Sequence, residues 1–176
     1  NAYGNLNVNA NQIFTSTNGL LGLYTPSTTT TGSSYIYGVS NMADSEWSLG
    51  RSSTSTTFGM YRSSTVTSTS TMPGLHAIGM DSNGWRSIYE NGSRNATQNY
   101  GFIAMPQNLK MYLSARNANG TPDSYSGFMS SFGFFSDTLT LTENSDFYTA
   151  IQKFQTSLGR QVGTPSGTPL APLNAV

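Results

Sequence analysis

The sequence predicts an all-β domain, an antiparallel two-sheet jelly-roll sandwich closed by one C-terminal amphipathic helix, and three observations predict it. Short runs rich in aromatic and β-branched residues recur between turns of Gly, Asn, Ser and Thr along most of the chain, the pattern of half-buried strands. The runs are too many for one layer, and two packed sheets are the stable way to hide them. One late segment alone changes from a period of two to the three- and four-residue spacing of a helix face.

In chain order, residues 1–11 alternate Leu6 and Val8 with asparagines, which suits an edge strand or an arm laid on another chain. Gly19 to Thr25 is a compact apolar run, followed by a Ser/Thr/Gly loop from Pro26 to Ser34. Three strands follow: Ser34 to Ser40, Glu46 to Gly50 around Trp47, and Thr56 to Arg62. Leu75 to Asp81 and Arg86 to Glu90 form a hairpin across Ser82-Asn83-Gly84-Trp85, in which Asn-Gly supplies positive φ, and Asn91-Gly92 makes a second such turn. Three further strands are predicted at Tyr100 to Ala104, Leu109 to Ala115 and Gly127 to Phe135. In the second of these Met111, Leu113 and Ala115 alternate with polar neighbours, so one face is buried.

Thr142 to Leu158 sets Phe147, Ala150, Ile151, Phe154 and Leu158 on one helical stripe. Thr142 is the predicted N-cap, Glu143 complements the N-terminal dipole, and Gly159 stops the helix. The stripe is expected to pack on the sandwich. Residues 1–162 are read as a single domain and 163–176 as a Pro/Gly-rich tail that continues no regular element.

Composition excludes several functions. Of 176 residues, 9% are charged, with eight Lys plus Arg against eight Asp plus Glu, so no basic face exists for nucleic acid. Ser, Thr, Asn and Gly supply the polarity instead, as on secreted and virion surfaces. Cysteine is absent, which removes disulfides, thiolate metal sites and a cysteine nucleophile. No apolar run approaches the ~20 residues of a membrane span, so no membrane insertion is expected. The chain begins at Asn1 without a signal-peptide pattern and reads as a processed product or a fragment.

The region from Leu75 to Val162 carries three motifs: Ser87-Ile88-Tyr89-Glu90-Asn91-Gly92; the strand Asn108 to Asn117, ending Ala115-Arg116-Asn117 and followed by the turn Asn119-Gly120; and the helix Phe147 to Arg160. Together they resemble a concanavalin A-like or laminin-G-like jelly-roll domain of tailed-phage and bacterial surface proteins. The helix motif is the most specific, and the resemblance covers about half of the chain. It implies an extracellular setting on a virion or cell-surface fibre more firmly than it implies a ligand.

No enzyme is expected. A glucanase of this architecture would carry Glu-x-Asp-x-Glu on one strand, and Asp44-Ser45-Glu46 lacks the third member. The single histidine, His76, lies inside a predicted strand and would serve as a base only if a serine and an acid converged on it. Some laminin-G and lectin relatives hold Ca2+ through aspartates, which makes Asp44, Asp81, Asp123 and Asp137 the candidates. None sits in a dense ligand run, and otherwise they read as turn residues bonding their own backbone. No other cofactor is expected.

Carbohydrate recognition needs an aromatic face for a pyranose and planar polar groups for its hydroxyls. Trp85, Tyr89, Tyr100 and Tyr125 offer faces, while Arg86, Arg94, Arg116, Asn117 and Asn119 offer donors near predicted loop ends. Against this, Tyr89 and Tyr100 fit as ordinary sheet residues and Trp85 as a cover on its hairpin. The leading reading is a non-catalytic module that binds a surface glycan or polysaccharide, or another receptor, at a virion or cell surface. The alternative is a capsid or fibre decoration protein that acts through contacts with other virion or fibre subunits, or as a homo-oligomer, without sugar affinity. Asn91, Asn95 and Asn119 formally match glycosylation acceptors, but turn chemistry explains such asparagines equally well.

Overall fold

The computed structural model describes residues 3–14, 18–26, 34–40, 46–51, 56–59, 65–69, 73–101, 108–126 and 130–162. Among these, β1 (Gly4–Asn9) leads into a single helical turn, α1 (Ala10–Ile13), and then β2 (Gly19–Thr25), β3 (Ser34–Ser40), β4 (Glu46–Arg51), β5 (Thr56–Gly59) and β6 (Thr65–Ser68) follow. The second half holds β7 (Gly74–Met80), β8 (Trp85–Glu90), β9 (Ser93–Asn99), β10 (Lys110–Leu113), β11 (Arg116–Ala118), β12 (Thr121–Asp123), β13 (Phe132–Ser136) and α2 (Leu141–Ser157). An eight-stranded sheet runs β1-β10-β3-β4-β5-β6 with β11 and β12 attached at β3, and a five-stranded sheet runs β13-β2-β7-β8-β9. The fold is a two-sheet jelly-roll sandwich with one C-terminal helix, antiparallel except where β11 runs parallel to β3.

Strand alternation decides which side chains meet between the sheets. Val39, Trp47, Leu49, Val66 and Met111 face Leu21, Leu23, Ile78, Met80 and Ile88 in one buried cluster, with Phe14 set edge-on to Trp47 at 3.8 Å. The five-stranded sheet is covered on its other face as well. There Leu20, Ala77 and Tyr89 pack under Phe134 and Leu139, and Tyr24 and Leu75 pack under Ile151 and Phe147. Buried on both faces, β2 and β7 read as unbroken apolar runs. Gly22 belongs to this crowding, because a Cβ there would lie 2.6 Å from the His76 carbonyl and 2.5 Å from the Phe134 ring.

The two predicted Asn-Gly hairpins differ. Asn91 (φ 51°) and Gly92 (φ 81°) are both left-handed and close a two-residue turn, as the sequence predicts. In the earlier hairpin only Gly84 has positive φ (78°). The loop spans Asp81 to Gly84, whose N–H donates to the Asp81 carbonyl at 3.1 Å, while Asp81 Oδ1 accepts from the N–H groups of Asn83 (2.8 Å) and Trp85 (3.1 Å). An aspartate turn thus replaces the tighter one.

Other boundaries shift too. Tyr100 and Gly101 are not strand, and the strand after Gly92 is β9, Ser93–Asn99. Of the strand predicted from Gly127, residues 127–129 lie outside the described residues, and β13 begins at Phe132. The helix cap lies two residues earlier than predicted: Thr140, not Thr142, caps it, accepting Glu143 N–H while the Glu143 carboxylate accepts Thr140 N–H. Gly159 (φ 65°) ends it as predicted, with Arg160 N–H reaching the Gln155 carbonyl at 2.8 Å.

The buried face of α2 is rotated from the predicted stripe. Ile151 and Phe147 pack on the sheet, but Ala150, Phe154 and Leu158 lie on the exposed flank, and Asn144, Gln152 and Gln155 are buried instead. These amides have work to do there. Asn144 donates to the carbonyls of Leu139 and Thr140, Gln152 Nε2 donates to the Tyr148 hydroxyl at 2.6 Å, and the Tyr24 hydroxyl lies 3.0 Å from Gln152 Oε1 and 2.9 Å from the Val162 carbonyl. Burial pushes the Tyr24 phenol up, against the pull of its Val162 bond. The loop predicted at 27–33, the end of the predicted strand at 60–62, residues 102–104, Asp44 and the tail at 163–176 lie outside the described residues.

Candidate functional site

Three structural features concentrate polar chemistry, and the nine residues singled out by sequence are divided among them. The first is the outer face of the eight-stranded sheet. Tyr112 points there because Met111 and Leu113 of the same strand face the core. Its ring packs against Tyr3, 4.8 Å between centroids, and Tyr3 in turn lies 6.1 Å from Tyr125. Burial first, and then the hydroxyls of Tyr3 and Tyr125, push the Tyr112 phenol up.

Arg116 joins the same face, since it and Tyr112 are both register partners of Gly38 on β3. Its Nε and Nη2 donate to the two oxygens of Asp123 at 2.9 and 2.6 Å, and its Nη1 donates to Glu46 Oε2 at 2.9 Å. Ser48 Oγ donates to the other Glu46 oxygen at 2.5 Å. The stem of Arg116 crosses Gly38, where a Cβ would come within 3.1 Å of it. The fork is therefore fixed in one plane, flanked by two carboxylates and a tyrosine cluster. Asn117 and Asn119 hold this region from beneath. Asn117 is buried and bridges the Lys110 carbonyl and Gly120 N–H at 2.7 Å each, while Asn119 (φ 49°) turns the β11–β12 hairpin and donates its N–H to Ser40. The Asn117 amide thus positions the face rather than presenting to it, whereas the Asn119 side chain is exposed.

A second feature is a cleft of about 320 Å³ on the outer face of the five-stranded sheet, beside the start of α2. It brings together Trp85, Tyr89 and Arg94, with Asn18, Ser87 and Leu141 also on its walls. Tyr89 is buried, whereas Trp85 and Leu141 are 44% and 51% exposed. Arg94 is exposed.

The third feature is a buried polar group between the sheets. His76 Nδ1 lies 3.5 Å from Glu90 Oε1, both side chains fully buried, and Ser68 Oγ donates to Glu90 Oε2 at 3.1 Å. The serine thus bonds the acid, and Ser68 itself is buried. Nearby Arg86 faces inward and is fully buried, its guanidinium 4.9 Å from the Tyr100 ring centroid. Burial pulls the Arg86 guanidinium below its ordinary value, with Tyr100 opposing. Arg86 is therefore not the exposed loop-end donor its position in sequence indicates, and Tyr100 is its lid. Among the described residues no group of three His, Asp or Glu side chains is placed to hold a metal ion. Of the calcium candidates, Asp81 serves its turn and Asp123 serves Arg116. Sequence reasoning singled out neither Tyr3 nor Tyr112, and considered Glu46 only as half of a hydrolytic pair. The alternation along β10 was the signal that sends Tyr112 outward.

No protein-family model matches the sequence, and no curated protein sequence does. The fold is similar to solved structures. Against the NanB sialidase from Streptococcus pneumoniae the TM-score is 0.66 at 10% identity, covering 82% of this chain and 27% of that one. Against a leech intramolecular trans-sialidase it is 0.66 at 13% identity, covering 82% of this chain and 25% of that one. The chain thus spans about a quarter of the length of these sialidases. Against the CBM40 module of the Ruminococcus gnavus IT-sialidase bound to α2,6 sialyllactose it is 0.58 at 12% identity, covering 78% of this chain and 85% of the module. Among the described residues no helix is long and apolar enough to cross a membrane.

Proposed function

We propose that this chain is a non-catalytic carbohydrate-binding module that takes a glycan on the outer face of its eight-stranded sheet. The observation that carries the reading is the Arg116 fork, fixed between Glu46 and Asp123 beside Tyr3, Tyr112 and Tyr125. Sugar hydroxyls come in vicinal pairs, and a planar cluster of donors and acceptors that has already lost its side-chain freedom engages them without a further ordering cost. The tyrosine rings supply the apolar surface that the ring face of a pyranose needs. Likeness of fold to a carbohydrate-binding module solved with sialyllactose supports the same reading.

Hydrolysis is the weaker use of this cluster. A glycosidase needs one carboxyl free to protonate the leaving oxygen and a second free to attack or to activate water. Here Glu46 accepts from Arg116 and Ser48, and Asp123 accepts from Arg116 with both oxygens. The setting in this reading is a virion or cell-surface fibre, supported by the resemblance of the second half of the chain to tailed-phage and bacterial surface proteins.

The test is a glycan array that includes neutral and sialylated oligosaccharides, followed by titration calorimetry of the best hit. Tyr125→Ala combined with Tyr3→Ala is expected to weaken that hit by about tenfold, the equivalent of ~1.4 kcal/mol, with the fold unchanged by circular dichroism. A blank array, together with stable multimers by light scattering, would replace this reading with a structural role in particle assembly.

A further inference from the structure

We infer that the cleft beside the start of α2 is a second saccharide site, distinct from the tyrosine face, and that it takes an acidic oligosaccharide of at least two residues. The inference rests on reading the domain as a carbohydrate-binding module, but not on where the first site lies. Its lining includes an indole and a leucine, both about half exposed, together with Ser87 and the buried Tyr89. A solvent-facing tryptophan at the mouth of a polar concavity, on a sheet whose other aromatic side chains are packed, is what the apolar face of a pyranose requires.

Arg94 sets the charge of the ligand. In the register Tyr89 pairs with Arg94 and Trp85 with Asn99, so Arg94 and Trp85 mark opposite ends of the cleft. The guanidinium has no ion pair among the described residues, unlike Arg116, whose two carboxylates already neutralise it. Asp81 lies at the Trp85 end, where one of its oxygens is taken by two backbone N–H groups. A carboxylate on the ligand is thus favoured at the Arg94 end, where the guanidinium fork can hold it through two parallel hydrogen bonds.

The length of the ligand follows from the strand. Trp85 and Tyr89 stand four residues apart on β8, about 14 Å at ~3.4 Å per residue. A single pyranose ring is shorter than this backbone span, whereas two or three linked rings match it.

Tryptophan fluorescence reads this site directly, because Trp47 is fully buried in the core while Trp85 is exposed. The protein is titrated with trigalacturonate and, separately, with its methyl ester. The acid is expected to shift Trp85 emission and to protect it from acrylamide quenching, and the ester to bind at least tenfold more weakly. Arg94→Gln should remove most of the preference for the acid, and Trp85→Ala should abolish binding seen by calorimetry. Both side chains are exposed, and near-UV circular dichroism checks that each variant is folded. Unchanged Trp85 emission with the acid at millimolar concentration overturns the inference, as does equal binding of acid and ester.

The Tyr3→Ala, Tyr125→Ala double variant separates the two sites. It should leave the Trp85 response intact, and loss of that response would show that the cleft is not independent. If array hits are lost on changing the tyrosine face and Trp85 emission does not answer to the acid, the module reading stands and the cleft falls. If only Trp85 and Arg94 variants lose binding, the cleft stands and the tyrosine face falls.

Discussion

Replacing Arg116 by Met tests whether the candidate face is a rigid ionic device. The side chain of Arg116 is 13% exposed, against 7% for Glu46 and 35% for Asp123. Removing one partner of a buried ion pair costs roughly 3–5 kcal/mol, because the remaining charge is left in a low-dielectric site. Asp123 is open enough for water to replace the guanidinium, so its share is at most ~1 kcal/mol. Glu46 keeps the Ser48 hydroxyl as a donor, which places its share at the low end. The sum is about 3 kcal/mol, or a fall in Tm of roughly 6–12 °C for a domain of this size.

Urea unfolding of Arg116→Met measures this, and a second substitution identifies its source. If the cost comes from a stranded carboxylate, adding Glu46→Gln to Arg116→Met should restore at least ~1 kcal/mol, although Glu46→Gln alone destabilises. A loss below about 0.5 kcal/mol, the range of ordinary surface changes, would refute the argument that the fork is locked. So would a double variant no more stable than Arg116→Met.

Three further predictions concern the frame that holds the two faces. Thr140→Ala should cost about 1 kcal/mol by removing the N-cap of α2, read by thermal unfolding. The backbone and then the side chain of Thr140 hold the Glu143 carboxyl below its ordinary value. A group whose folded pKa is depressed stabilises above its unfolded pKa and loses that contribution as pH falls through the folded one. Stability should therefore drop through the acid carboxylate range, below pH 4.5, and the Glu143 share of that drop should vanish in Glu143→Gln. Gly22→Ala should destabilise by roughly 1–3 kcal/mol, since the new methyl meets the His76 backbone carbonyl as well as the Phe134 ring. A wild-type urea midpoint for this variant would show that β2 and β13 can part at no cost.

How much of this was legible in sequence depended on whether the signal was local. The bounds of β2 and β3 were read correctly because both are dense in apolar or aromatic residues and bounded by turn residues. β9 was missed because Ser93–Asn99 holds one apolar residue, Ala96, and lies at the edge of its sheet with most side chains exposed. Its place was assigned to the more aromatic Tyr100 to Ala104. β6 was missed within a Ser/Thr tract for the same reason, since Val66 is its one apolar residue and the other buried side chain is Ser68. The cap of α2 was misplaced although its signal was present, since Thr140 stands three residues before Glu143 and Thr142 does not.

The sites were less legible because their partners are remote in sequence. The polar face of α2 is buried because Tyr24 waits 128 residues away to bond Gln152, and no periodicity within the helix can report that. Arg116 was singled out as a donor from its residue type and loop-end position, but its meaning depends on Glu46, 70 residues earlier, and on a glycine at position 38 that lets its stem lie flat. Arg86 and Arg94 were offered as equivalent donors eight positions apart, yet one lies between the sheets under Tyr100 and the other stands in solvent at a cleft. Arg86 and Tyr89 stand on opposite faces of β8, and the two-residue turn pairs Arg94 with Tyr89, which sends the two arginines to opposite faces. A one-residue change in that turn would carry Arg94 to the buried face while Arg86 stays paired with Met80, so the hairpin turn at Asn91-Gly92 decides where this cation stands as much as the residue type does.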